Sequence, residues 1–274
     1  MAIPSDFQFS QASLQDFVDC RRRFYYRNIQ RLAWPALEAE PALANEQWMK
    51  QGADFHQMVH RFILGIPAER LTQSAAGGNL AQWWEDFLGA MPVERSQQLF
   101  SEQMLSTELD GKRLVAKYDL IAIEEGGMIQ IFDWKTSRKP APRERMAARL
   151  QTRVYPYVLA QAGQRLAGAP IGPKNIEMHY WYASRPEQPE VFSYSQEQFQ
   201  ADESYLQGLI TEISALGEID DFPLAGDAKP CRFCVYRSLC DRGEAAGELG
   251  EDEFEVTPGE DFDFDFEQIE EIEF

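Results

Sequence analysis

The segment IFDWKTSRKP, residues 131–140, places an acid and a base, Asp133 and Lys135, two positions apart at the end of an apolar run. In a β-strand, residues two apart share a face. Asp133 and Lys135 are therefore expected side by side, in line with Ile129 and Ile131. A buried charge pair is costly unless something uses it, and a metal ion with a phosphodiester would use both charges. A second acid, Asp119, lies in the preceding apolar stretch, where alternation predicts that it shares a face with Val115, Ile121 and Ile123. On neighbouring strands the two carboxylates would converge at one sheet edge and repel each other until a cation joined them. Hard oxygen ligands suit magnesium or manganese, and magnesium typically pairs one or two carboxylates with substrate phosphates.

An imidazole is available on the preceding helix. His56 follows Gly52 by four residues, so both lie on one helix edge, and Gly52 lets another element approach closely. An imidazole beside carboxylates tilts the site towards manganese. His60, one turn on, competes for the same role. Gln151 and Tyr155, also one turn apart, face one way on the helix after Lys135; they fit either site positioning or a polar helix edge packed on the sheet. Glu102, opening the first strand, is a further acid that fits the site or the surface.

The four cysteines form a second constellation: Cys20, then Cys231-x-x-Cys234-x5-Cys240. The N-terminus, MAIPSDFQFS, has neither a basic leader nor an apolar h-region, so an intracellular, cytoplasmic protein is expected and disulfides are not. A metal centre is the better reading of four thiols with none left over. Four thiolates alone do not separate zinc from a [4Fe–4S] cluster. Zinc sites usually come as two close pairs, and one distant cysteine plus a tight trio departs from that habit.

These groups need a scaffold, and the hydrophobic pattern supplies one. Residues 13–31 are predicted as a helix capped by Ser13, with 45–64 a second helix and a third from Asn79. Residues 100–109, 113–124 and 128–136, separated by Asp110-Gly111 and Gly126-Gly127, predict a three-stranded antiparallel meander. A long helix over 143–164 follows, with Pro156 expected to kink or break it. Further strands over KNIEMHYWYA and EVFSYS and a helix over 196–216 complete an α/β (α+β) chain with a mixed central sheet and flanking helices. No apolar run of 18 residues appears, so no membrane span is expected.

The net charge of −19 is unevenly placed. Of 45 acids, 14 fall between Glu244 and Phe274; the other 31 face 26 bases, leaving the body at −5. Bases cluster at Arg21, Arg22, Arg23, Arg27 and Arg31, and again at Arg138, Lys139, Arg143, Arg145, Arg149 and Arg153. Local basic surface, rather than whole-chain charge, is what a phosphate backbone feels. Residues 243–274 are expected to be a disordered acidic tail. Its alternating DFDFDF invites a second reading, as a mimic of single-stranded DNA or a dock for another DNA-processing protein.

In this order, Gly52-x-x-x-His56, Asp119, Asp133-x-Lys135 and Gln151-x-x-x-Tyr155 resemble the PD-(D/E)XK nucleases of the RecB type, over roughly residues 15–240. Ala116 stands where that family usually has glycine. The resemblance implies a restriction-endonuclease-like core and a metal held by His56, Asp119, Asp133 and the carbonyl of Trp134. It also implies that Lys135 orients the attacking water, with Gln151 and Tyr155 as accessory residues. The cysteine spacing, with CRRRFYYR after Cys20, resembles the iron–sulfur subgroup of the same family. That implies a [4Fe–4S] cluster on Cys20, Cys231, Cys234 and Cys240 clasping both ends of a nuclease domain over residues 1–242. Arg21, Arg22 and Arg23, with Phe24, Tyr25 and Tyr26, would then offer phosphate contacts and stacking surface. The expected activity is a Mg2+- or Mn2+-dependent deoxyribonuclease, an exonuclease on single-stranded ends in recombination, repair or foreign-DNA processing. The competing expectation is a catalytically silent DNA-binding or assembly subunit on the same scaffold.

Overall fold

The antiparallel meander expected between residues 100 and 136 is present and forms the middle of a larger mixed sheet. The computed structural model describes residues 3–4, 6–32, 42–75, 77–93, 98–137 and 140–243. Six strands build the sheet: β1 (Gln8–Ser10), β2 (Gln98–Leu109), β3 (Lys112–Ile123), β4 (Ile129–Lys135), β5 (Ile176–Tyr182) and β6 (Glu190–Ser193). The helices are α1 (Gln11–Asp19), α2 (Arg21–Phe24), α3 (Ala42–Ile63), α4 (Ala68–Ser74), α5 (Gly78–Ala90), α6 (Arg143–Ala148), α7 (Leu150–Ala162), α8 (Gln164–Ala167) and α9 (Gln196–Ser214).

Strand β3 organises the sheet. One of its edges is paired with β2, from Ile123 opposite Gln98 to Lys112 opposite Leu109. Its other edge is divided. β4 pairs antiparallel only from Ile123–Ile129 to Leu120–Phe132, and further along β1 pairs in parallel with Arg113, Leu114 and Val115. β5 lies parallel to β4, and β6 antiparallel to β5. The sheet therefore forks on β3 between Val115 and Leu120.

Helices cover both faces. On one, Leu14 and Phe17 of α1, Val154, Tyr157, Val158 and Leu159 of α7 and Leu206, Ile210 and Ile213 of α9 pack with Ile121, Ile129, Ile131 and Met178 of the sheet. On the other, Phe55 and Val59 of α3, Leu71 of α4 and Trp83, Trp84 and Phe87 of α5 pack with Leu120, Phe132, Trp134 and Trp181. This is the mixed α/β architecture expected, a sheet flanked by helices in a restriction-endonuclease-like core. Among the described residues, no helix is long and apolar enough to cross a membrane.

Three local expectations are corrected. The first helix is capped by Ser10, not Ser13: Ser10 Oγ accepts from the Ser13 N–H while Ser13 Oγ accepts from the Ser10 N–H, a reciprocal capping box. That helix also stops at Cys20, whose backbone is extended, and resumes as α2 and a π-helical turn, Tyr25–Ile29. The predicted long helix breaks at Arg149 (φ −69°, ψ 146°), while Pro156 sits inside an unbroken α7. The acidic tail lies outside the described residues.

Most of the first basic cluster is spent inside the protein rather than offered to phosphate. Asp16, 4% exposed, takes Arg23 Nε at 2.7 Å and Arg27 Nη1 at 2.9 Å; Arg23 also reaches Asp19. Arg21 pairs with Glu212, and Arg22 Nε donates to the Phe222 carbonyl at 2.7 Å. Phe24 and Tyr25 are core residues, Phe24 stacking on Phe222. Tyr236 Oη donates to the Leu32 carbonyl, and its ring meets Tyr26. The two ends of the domain are thus joined by packing and hydrogen bonds. Phe222 is fully buried in this junction, so Phe222→Ala should destabilise the fold by about 3–5 kcal/mol, read as a lowered urea midpoint with an unchanged slope.

Candidate active site

The fork in the sheet is where the charged residues gather. Beyond the Leu120–Phe132 pair, β3 and β4 part, and Asp133, Trp134 and Lys135 pair only with Tyr180, Trp181 and Tyr182 of β5. The Trp134 N–H at the fork donates to Asp119 Oδ2 at 2.8 Å, so a carboxylate replaces the missing strand partner. Asp119 Oδ1 meets His56 Nδ1 at 3.2 Å. Gly52, one turn before His56, is buried against the end of β4: a Cβ there would stand 3.0 Å from Thr136 Oγ1. The expected close approach of α3 is present at that position.

Asp133 and Lys135 face the α7 side together with Ile129 and Ile131, as period two requires. Lys135 Nζ lies 2.8 Å from Asp133 Oδ2 and donates to Gln151 Oε1 at 3.1 Å. Gln151 Nε2 donates back to Asp133 Oδ1 at 2.5 Å, and the ammonium also lies 5.7 Å from the Tyr180 ring centroid. Asp133 is buried and Lys135 half-buried, and Gln151 closes a three-member ring of polar contacts with them. Tyr155, one turn beyond, packs its ring on Tyr118 in the core, and its backbone carbonyl accepts from Tyr118 Oη.

Asp119 departs from expectation. Ile121 and Ile123 pack on the α7 side, whereas Asp119 bonds to His56 of α3 on the other. Upstream, Leu114, Ala116 and Tyr118 face α7; downstream, Leu120 and Ala122 face α3. The alternation changes phase at Asp119. β2 changes with it, Phe100 and Leu105 both packing on the α7 side although five residues apart. Glu102, opposite Asp119, has φ +53° and pairs with Lys117 at 2.8 Å.

The groups on the two faces nevertheless sense each other's charge where the strands part. His56 feels the charges of Asp119, Asp133 and Lys135, and Asp119 feels that of Lys135. Burial works against an imidazolium at His56, but the charge and hydrogen bond of Asp119 outweigh it, and its pKa is raised. Burial likewise works to raise Asp119, yet His56, the Trp134 N–H and Lys135 together hold its pKa below the ordinary value. The donor set of two carboxylates and one imidazole is chemically right for a hard divalent ion. Among the described residues, however, no three His, Cys, Asp or Glu side chains stand as a ready-made cage. The carboxylates are engaged with His56, Lys135 and Gln151. His60 is elsewhere: its Nδ1 meets Ser101 Oγ at 2.8 Å. Arg138 and Lys139 lie outside the described residues.

At the other end of α1, Cys20, Cys231, Cys234 and Cys240 line one pocket with Arg23, Tyr26, Tyr236, Arg237 and Arg242. All four thiols are free. Burial pushes Cys240 up to about 11, helped by Cys234, Cys20 and Cys231, and Cys234 is raised for the same kinds of reason. Cys234 and Cys240 thus sense the neighbouring thiols, yet among the described residues the four cysteines do not stand as a ready-made metal cage either.

Residues 8–241 match the PD-(D/E)XK nuclease superfamily, and the chain belongs to it. No curated protein matches the sequence. Among solved structures, SSO0001 is similar at 14% identity and a TM-score of 0.42, with 86% of each chain covered. A Eubacterium rectale protein assigned as an exonuclease is similar at 8% identity and a TM-score of 0.49, with 76% of this chain and 80% of that one covered. Superfamily membership implies a hydrolytic nuclease, and such nucleases generally use divalent metals such as Mg2+ or Mn2+.

The His56–Asp119 contact makes a pH prediction for metal-free protein. A raised imidazole contributes stability fully below its unfolded value of about 6.5 and loses it as pH climbs through the raised folded value. A lowered carboxylate contributes above about 3.9 and loses it as pH falls. The stability gap between wild type and His56→Gln, followed by urea unfolding in EDTA, should therefore be widest between about pH 4 and 6.5 and should close on either side.

Proposed function

We propose that this chain is a divalent-metal-dependent DNA exonuclease of the RecB type, acting on single-stranded ends. The observation that carries the reading is the gathering of His56, Asp119, Asp133 and Lys135 within mutual electrostatic reach where β3 and β4 part. Coming from three elements, they make a site only because the sheet opens there.

In this reading His56, Asp119, Asp133 and the Trp134 carbonyl would hold Mg2+ or Mn2+, which when bound would make a water more acidic and offset charge on the scissile phosphate. Lys135, fixed between Asp133 and Gln151, orients the attacking water and faces the charge that builds on the phosphorane. Gln151 holds both partners at their spacing, since one amide donates to the acid and accepts from the base. Tyr155 supports it from the next turn by anchoring α7 on Tyr118. The hydrolysis is direct, with no covalent intermediate on the protein.

The four thiols are assigned to a [4Fe–4S] cluster of the iron–sulfur subgroup, with the nuclease domain over residues 1–242. Their shared pocket supports this, as does their spacing, which departs from the paired spacing of most zinc sites. The second reading is a silent DNA-binding or assembly subunit. The filled Asp133, Lys135 and Gln151 positions favour the enzyme, because a retired site has no use for a buried, internally bonded charge pair.

Anaerobically purified protein should digest end-labelled single-stranded DNA in Mn2+ and leave it intact in EDTA. Asp133→Asn and Lys135→Ala should each reduce cleavage by at least about 100-fold with the thermal transition retained. Binding of DNA by wild type without cleavage in either metal would favour the silent subunit instead. The purified protein should be brown and absorb broadly near about 400 nm; a colourless protein carrying zinc would refute the cluster.

A further inference from the structure

His60 and Ser101 form a second polar pair between α3 and the sheet. Ser101 Oγ donates to the backbone carbonyl of Asp119 at 3.1 Å and lies 2.8 Å from His60 Nδ1. On the nuclease reading proposed above, we infer that His60 is a positioning residue: acting through Ser101, it locks the turn in β3 that presents the Asp119 carboxylate to His56.

The protons fix the direction of the chain. A carbonyl oxygen only accepts, so the single hydroxyl proton of Ser101 goes to Asp119. The hydroxyl oxygen must then accept from His60, which places a proton on Nδ1; in the neutral ring that is the Nδ1–H tautomer. His60 follows His56 by four residues, so one edge of α3 grips Asp119 twice, His56 at the carboxylate and His60 through Ser101 at the main chain.

That second grip falls where the strand needs it. Register between β2 and β3 runs Ser101–Leu120 and then Gln103–Tyr118, skipping Glu102 and Asp119. Both strands change the phase of their alternation there without an inserted residue. Glu102 holds a left-handed backbone, φ +53°, which non-glycine residues adopt only when their surroundings impose it. Without the phase change, Asp119 would follow Ile121 and Ile123 to the α7 side, away from His56. The Ser101 hydroxyl thus supplies a hydrogen bond to the Asp119 main chain at the one point where the two strands fail to pair.

The protein has three histidines, so long-range proton–nitrogen NMR of 15N-histidine protein can read the His60 tautomer directly in the metal-free state. Wild type should show Nδ1–H at His60, and Ser101→Ala should return it to an ordinary mixture. Mn2+ binding, followed by EPR of the free ion, should weaken by about 10-fold in Ser101→Ala and in His60→Gln. At saturating Mn2+ the same variants should lose kcat with the KM for DNA unchanged. His60→Asn keeps a donor at the Nδ1 place and Ser101→Thr keeps the hydroxyl, so each should recover most of the loss. The double variant His60→Ala with Ser101→Ala should be no worse than Ser101→Ala alone. Unchanged Mn2+ affinity and kcat in Ser101→Ala, or a bare Nδ1 in wild type, would overturn the inference while leaving the nuclease reading intact. A wild type that neither binds Mn2+ nor cleaves DNA would overturn both.

Discussion

The divided edge of β3 is the constraint on which the rest depends. A sheet paired along its whole length would separate α3 from α7 by a continuous layer of backbone. Here β4 leaves β3 after Leu120–Phe132, and β1 joins it only from Val115. The backbone groups released at the fork must find partners. The Trp134 N–H finds the Asp119 carboxylate. An acid at this position satisfies a donor left by the parting strands, and it stands where its charge is felt by His56 and answered by Lys135.

Burying such groups is tolerable because each is answered. Removing a lone carboxylate from water costs far more than one hydrogen bond returns. Asp133 is met by an ammonium and an amide, Asp119 by an imidazole and a backbone N–H. Gln151 is suited to its place because one amide both donates and accepts; a carboxylate there would add a third like charge. The same logic rules the N-terminal arginines. Asp16 is as deeply buried as Asp133 and takes two guanidinium groups. Charge that looks like a DNA-binding face in the sequence is consumed in folding.

What could be read from the sequence follows the range of the signals. Asp133 and Lys135 were legible because a short strand with period two fixes their common face from local residues alone. Gly52 was legible because its close approach lies one helical turn from His56. The face of Asp119 was not, since the phase change at Glu102 and Asp119 carries no glycine or proline to mark it. β1, at three residues, is too short to show alternation, so the fork it completes was invisible. The break at Arg149 carries no glycine or proline to mark it, whereas α7 accommodates Pro156 within its length. The partners of Arg21 and Arg22, Glu212 and Phe222, lie some 190 to 200 residues away and leave no mark in the segment CRRRFYYR.

The two constellations that the sequence offered separately are physically continuous. Arg23 lines the thiol pocket and pairs with Asp19 at 2.7 Å. Asp19 accepts from Gln15 Nε2 at 2.8 Å along the same helix, and Gln15 Oε1 accepts from the Leu150 N–H at 3.1 Å. Leu150 opens α7, where the first backbone N–H groups lack helical partners, and the next residue is Gln151. An ion pair and hydrogen bonds thus link Arg23, in the lining of the thiol pocket, through α1 to the start of α7, and β1, the strand before α1, is the other arm of the fork. The junction that holds Cys20 beside Cys231, Cys234 and Cys240 therefore also fixes where α7 begins. Packing at this junction is thereby part of what sets the position of Gln151.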